Sequence, residues 1–294
     1  MKKLLVIGAT GTLGSRLLSL GKGRFEMLAA DKKRPEGAPD THELDACNRE
    51  QAFALIEKLR PDCVIDAHAL TNLDYCETHQ EETWRVNYDG SLNIADACET
   101  VGCKYIFIST DNVFDGEKAA YTENDSVNPL NYYAKTKVAV EMALAEMDSD
   151  YIIARTAVLY GKEGQGRVGF VPWVIEKLKN KEEIRIVTDQ KNNPTFVDNL
   201  CELLFRLYEK DERGIFHTTG GECLSRYDFS LAIAQVFGLD SKLIVPILSS
   251  ELNQTALRPK TLNMLTEKVT RATGVTPIST GEGLRILKKE LDIV

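Results

Sequence analysis

The sequence predicts an α/β fold, a doubly wound parallel sheet, with a smaller and less regular C-terminal part. Three observations predict it. Strand-like and helix-like segments alternate strictly through the first 155 residues. The strand-like segments are short and apolar throughout, as strands covered on both faces are. A glycine-rich turn, GATGTLG at 8–14, joins the first strand to the first helix.

In order, the apolar run 3–7 is the first strand and 12–20 the helix after the glycine turn. Residues 25–30 form a second strand that ends at Asp31. The segment REQAFALIEKL at 49–59 carries apolar residues at helical spacing and is stopped by Pro61. A third strand covers 63–67, a long helix covers 81–101 and closes at Gly102, and a fourth strand covers 105–109. A helix over 131–147 and a strand over 151–155 complete the alternation, which calls for a parallel sheet between two helical layers. Beyond residue 160 the pattern loosens. KEGQGRVG at 162–169 reads as a charged, glycine-rich loop, 170–180 and 196–209 as helices, and 215–218 as one more strand. Ser225 with Asp228 three residues on is a capping box opening a helix to Phe237. The tail 241–294 has short apolar runs broken by Pro246, Pro259 and Pro277, and no internal repeat is visible. The expected division is a nucleotide-binding part over 1–160, to which 189–220 returns, and a substrate-binding part over 161–188 and 221–294.

Composition narrows the function. The 294 residues, 43% hydrophobic and 27% charged, are enough for a substantial core. A net charge of −8 argues against a nucleic-acid surface, which needs a basic field, while leaving room for a local cationic pocket. The N-terminal apolar run ends at Ile7, too short for an export signal, and no stretch reaches the length of a membrane span. Seven scattered cysteines without a C-x-x-C pair read as reduced thiols of a cytoplasmic protein. The four histidines are too dispersed to suggest a metal site, so none is expected.

The glycine turn has G-x-x-G-x-x-G spacing: Gly8, Gly11 and Gly14. Glycines there let the backbone turn tightly and approach a pyrophosphate, which rests on the free N–H groups of the following helix. Asp31 lies 17 residues after Gly14, where a carboxylate accepts from adenosine ribose hydroxyls, and a solvated loop aspartate is the bland alternative. The next residues, Lys32, Lys33 and Arg34, are cations suited to a ribose 2′-phosphate, which leans the cofactor toward NADP(H) with NAD(H) still open. In NYYAKTK at 131–137, Tyr133 stands one turn from Lys137, and Tyr132 has Lys135 three residues on; spacing permits either pair. At the end of the fourth strand Ser109 and Thr110 both offer a hydroxyl, but alternation lets only one of them face a site.

Together these motifs resemble the extended short-chain dehydrogenase/reductases, and within them the dTDP-4-dehydrorhamnose reductase group. The resemblance rests on GATGTLG, STDNVFDG at 109–116, PLNYYAKTK at 129–137, RTAVLYG at 155–161, DQKNNPTFVDNL at 189–200 and RPKTLN at 258–263. It implies a Rossmann domain and a catalytic set of Thr110, Tyr133 and Lys137. Tyr133 supplies a proton to a sugar C4 carbonyl that receives hydride, and Lys137 lowers the phenol's pKa and holds the nicotinamide ribose. The implied cofactor contacts are Gly8, Thr10, Gly11, Thr12, Leu13 and Gly14, then Asp31, Lys32, Asp45, Ala67, His68, Ala69 and Asn87, with Tyr133 and Lys137. His68 is expected as pocket wall rather than base. Implied substrate contacts are Val113, Phe114, Val158 and Arg258, the last for a diphosphate. The implied partner is a small nucleotide-sugar, with a homodimer left open and no nucleic acid or membrane.

Four positions depart from the group's pattern: Asn112 replaces a tyrosine, Ala134 a glycine, Val158 a tryptophan and Thr261 an asparagine. The catalytic set is intact and the substrate wall is altered. The resemblance therefore also admits a nucleotide-sugar epimerase or dehydratase, although the second acid a dehydratase wants beside Asp111 is missing. It admits as well a non-catalytic regulatory subunit like that of methionine adenosyltransferase, which keeps the fold and the Tyr–Lys pair.

Overall fold

The computed structural model describes residues 1–33, 40–147, 149–162, 164 and 169–292. Seven strands form one sheet: β1 (Lys3–Ile7), β2 (Glu26–Asp31), β3 (Thr41–Glu43), β4 (Cys63–Asp66), β5 (Lys104–Thr110), β6 (Tyr151–Thr156) and β7 (Gly214–His217). Their spatial order is β7-β6-β5-β4-β1-β2-β3 and every pairing is parallel. The order reverses between β1 and β4, and the crevice outside the carboxyl ends of those two strands is where open α/β sheets bind ligands. β3 escapes the sequence reading because three residues are too few to show a pattern.

Burial on both faces explains the continuous apolar strands. Leu4 and Val6 pack on one side with α1 (Thr12–Gly21) and the helix Val197–Glu209. Leu5 and Ile7 pack on the other with α2 (Arg49–Leu59) and the helix spanning 80–101, here α3. Helix ends follow local chemistry. The Asn48 side chain accepts from the Gln51 N–H to open α2, and Arg60, at φ 46°, closes it just before Pro61. α3 ends at Gly102 with φ 72°. One turn within it, Arg85–Asp89, is π-helical and places Asn87 in the interior. α4 (Tyr132–Glu146) starts where the Asn131 side chain accepts from the Ala134 N–H at 2.9 Å.

The chain beyond β6 builds a second core. Helices Phe170–Lys179, Arg226–Phe237 and Thr280–Asp292 enclose Val174, Leu178, Phe229, Ile233, Leu284 and Leu287. The tail is more ordered than its prolines suggest. Ile244–Ile247 pairs in parallel with Ile184–Val187, and Glu267–Thr273 is a helix whose Val269 reaches the core of the main sheet. Half of the capping box at Ser225 forms: Ser225 Oγ accepts from the Asp228 N–H at 2.9 Å, while the Asp228 carboxylate accepts from the Ser225 hydroxyl at 2.7 Å. Arg34 and most of the 162–169 loop lie outside the described residues.

Candidate active site

A cavity of about 910 Å³ lies between the sheet's carboxyl edge and the second core. At one end are Gly11, Thr12, Leu13 and Gly14, with Ala67, His68 and Ala69 facing them. Two glycines make this approach. Gly8 has φ +78°, and a Cβ there would stand 2.8 Å from the His68 nitrogen; a Cβ on Gly14 would stand 2.2 Å from the Gly8 carbonyl oxygen. α1 begins at Gly11 with no side-chain cap and no acid in its first turn, so its N–H groups and positive dipole end are offered to the cavity. That cradle fits the pyrophosphate of a dinucleotide.

The other expected cofactor residues stand behind this cradle. Asp31 is turned inward: one carboxylate oxygen accepts from both the N–H and the hydroxyl of Thr10 at 2.8 Å, and the other from the Lys32 N–H at 2.7 Å. It braces the glycine turn and is not a free acceptor. Asp45 sits 3.4 Å from the Lys32 ammonium. Asn87 clamps the loop after β4, accepting from the Leu70 N–H at 2.8 Å and donating to the Leu70 carbonyl at 3.0 Å, and reaches Thr136 on α4. Both ring nitrogens of His68 face acceptors, the Asp66 carboxylate and the Val86 carbonyl. Burial opposes a charge on the ring, but Asp66 raises its pKa above the ordinary histidine value, and with both nitrogens engaged His68 is held in the wall and is not a free base.

The structure separates the residues that spacing could not. Tyr133 and Lys137 line the cavity, whereas the Tyr132 side chain does not reach it. Ser109 and Thr110 both line the cavity, against the expectation that only one would, but the Ser109 hydroxyl is committed to Glu141, to which it donates at 2.5 Å. Tyr133 is 8% exposed and Thr110 6%. Burial raises the Tyr133 pKa and the hydrogen bond with Thr110 offsets only part of this. The expected lowering by Lys137 is not met: burial dominates the Tyr133 pKa, and the Lys137 ammonium lies 4.0 Å from the centre of the Phe107 ring. Lys137 is itself desolvated and its pKa falls to about 8, with Asp66 and Glu141 acting the other way.

Val158 and Arg258 line the cavity as expected, while Val113 and Phe114 do not. The turn Asp111–Val113 rotates them into a separate cluster with Tyr121, Val138, Leu262 and Met264, where both are fully buried. Asn112 does line the cavity, donating to Asp111 at 2.8 Å and, more weakly, to Thr110 at 3.4 Å. Sequence reasoning missed Arg226, Phe170 and Trp173. The guanidinium of Arg226 stands over the Phe170 ring at 5.0 Å and lines the cavity; no ion pair holds it among the described residues. A signal was available: Arg226 opens the helix that Ser225 caps, and a cation is electrostatically misplaced at that end unless it meets an anion.

A family model described as RmlD substrate binding domain matches residues 1–292. A dTDP-4-dehydrorhamnose reductase from Aggregatibacter actinomycetemcomitans is 32% identical over 291 residues, covering 94% of this chain and 95% of its own. Methionine adenosyltransferase 2 subunit beta from Mus musculus is 29% identical, covering 95% of this chain and 86% of its own. Among solved structures, dTDP-4-dehydrorhamnose reductase from Bacillus anthracis in complex with NADP superposes with a TM-score of 0.86 at 28% identity, covering 99% of this chain and all of its own.

Proposed function

From the premise that the chain belongs to the RmlD substrate binding domain family, we propose that it is an NADP(H)-dependent reductase of a nucleotide-linked 4-keto-6-deoxy-sugar. The observation that carries this is the convergence of Thr110, Tyr133 and Lys137 in one cavity, with a glycine cradle at one end and Arg226 and Arg258 also on its wall.

A bound NADPH supplies the hydride. The residues of this chain do the rest. Gly11 to Gly14 and the N-terminus of α1 hold the pyrophosphate, and Lys32 and Lys33 meet the ribose 2′-phosphate. Asp31 favours NADP over NAD because its carboxylate is consumed by Thr10 and so does not claim the 2′ position. Thr110 and Tyr133 hydrogen-bond the carbonyl oxygen of the sugar. Burial keeps the phenol protonated at neutral pH, which is the state a proton donor needs. An alkoxide is more basic than a phenolate, so transfer from Tyr133 to the developing oxyanion stays downhill. Lys137 holds the nicotinamide ribose and so keeps cofactor and acid in one frame. Arg226 and Arg258 take the diphosphate, and Phe170 and Trp173 give the base an aromatic wall. The seven free cysteines suit a reducing cytoplasm.

The test is oxidation of NADPH, and separately NADH, on adding enzymatically generated dTDP-4-keto-6-deoxy-sugar. Substrate-dependent turnover that disappears in Tyr133→Phe, with NADPH affinity kept, is the expected result. Undiminished turnover in Tyr133→Phe removes the tyrosine from proton transfer. A second reading, a non-catalytic NADP-binding subunit, is favoured by the similarity to methionine adenosyltransferase 2 subunit beta. Tight NADPH binding without turnover, together with co-purification of a synthetase, would select it.

A further inference from the structure

We propose that Asp74 is a latch that fastens the segment 252–259 across the cavity and sets the Arg258 guanidinium for its anion. This rests on the reading that Arg258 meets the diphosphate.

The segment has no regular secondary structure, yet Leu252, Gln254, Arg258 and Pro259 all line the cavity. It is therefore positioned by side chains. Asp74, in the first turn of the short helix Leu73–Thr78, takes most of the connections. One of its oxygens accepts from the Ala256 N–H at 2.9 Å and from Arg258 Nη1 at 3.0 Å. The other accepts from Arg258 Nη2 at 2.7 Å, and the Thr255 N–H also donates to the carboxylate. Asn131, the cap of α4, adds a donation to the Leu257 carbonyl at 3.0 Å. Gln190 reaches Gln254 at 2.8 Å from the other side of the cavity.

The geometry at Arg258 makes this more than an anchor. A guanidinium has five N–H donors. Two point end-on at Asp74, and the second hydrogen of Nη1 is taken by the Ala256 carbonyl at 2.9 Å. The two left are Nε–H and the remaining Nη2–H, which lie side by side on one edge. That edge is the fork that takes two phosphate oxygens. Asp74 thus orients the fork without occupying it, and holds the charge in place against the repulsion of Arg226 nearby.

The experiment is a double-mutant cycle of Asp74→Asn with Arg258→Ala, read by KM for the dTDP-keto-sugar, with amide exchange of Thr255 and Ala256 as a second readout. Asp74 has 40% of its side chain exposed, so the substitution opens no cavity. The expected result is a rise in KM of about tenfold in Asp74→Asn, with kcat within about twofold. It should be accompanied by faster exchange at the two amides and by unchanged NADPH affinity. In the Arg258→Ala background the same substitution should change KM by less than twofold. Equal penalties in both backgrounds, or unchanged exchange, overturn the latch. If the wild type turns over no keto-sugar while exchange still rises in Asp74→Asn and dTDP still slows it in the wild type, the latch stands and the reductase reading falls.

Discussion

Lys137→Met should stabilise the protein and abolish its turnover. Lys137 is 2% exposed, no ion pair reaches its ammonium among the described residues, and the Phe107 ring centre lies 4.0 Å from it. Its pKa falls from 10.5 to about 8, burial being the dominant cause. At 1.36 kcal/mol per pH unit, keeping it charged at neutral pH costs the cofactor-free fold about 3 kcal/mol. Methionine is close in length, apolar, and packs well against an aromatic edge. The sign follows from proton counting. Between about pH 8 and 10.5 the unfolded chain holds the lysine proton and the folded chain does not, so wild-type stability rises with pH across that window. The advantage of Lys137→Met is therefore full below pH 8 and fades toward pH 10.5. Urea unfolding of the cofactor-free proteins at pH 7 should show a gain of about 3 kcal/mol, or about 6 °C in a thermal melt. A variant no more stable than wild type at pH 7 would refute the reasoning, because it would mean that Asp66 and Glu141 already compensate the buried charge.

Glu141→Ala should do the opposite, since it strands the Arg155 guanidinium, 3% exposed and bonded to Glu141 at 2.6 and 3.0 Å; a loss of about 3–5 kcal/mol in denaturant titration is expected. Gly14→Ala drives a Cβ to 2.2 Å from the Gly8 carbonyl, backbone against backbone, so NADPH affinity measured by fluorescence should fall at least about tenfold. Wild-type affinity there would mean that the turn can shift without consequence. Replacing Lys32 and Lys33 together by alanine should weaken NADPH about tenfold and leave NADH unaffected, and equal losses for both would reassign the 2′-phosphate to other groups.

Much of the first half was legible because its signals are local. A buried parallel strand is a run of apolar residues, a helix end is an asparagine or a glycine, and the glycine turn is a pattern within seven residues. The site was legible only where one element supplied both partners, as Tyr133 and Lys137 do on α4. Tyr132 against Tyr133 is a question of which way a side chain turns, and Ser109 against Thr110 of which hydroxyl a distant partner, Glu141, already claims. The resemblance implies substrate contacts at Val113 and Phe114, close after Thr110 in the chain. A single 3₁₀ turn redirects both into a core that residues 121, 138, 262 and 264 complete from far along the chain. The bracing of Asp31 by Thr10 and the hold of Asp74 on Arg258 link residues 21 and 184 positions apart, which no local pattern encodes.

The raised pKa of Tyr133 and the lowered pKa of Lys137 have a common origin in burial beneath the cavity. Two carboxylates lie near the lysine, and each is already committed. Asp66 is met by the His68 ring and accepts from Ser91 and Tyr105 at 3.0 and 2.7 Å. Glu141 is matched by Arg155 and accepts from Ser109. With both pairs neutralised internally, Lys137 is the one positive charge of this group left over, which is why burial weighs on it so heavily. Tyr133 is desolvated in the same way, and burial holds its phenol neutral in the resting protein. A phenol held protonated by burial rests in the state from which a proton can be donated to a carbonyl oxygen.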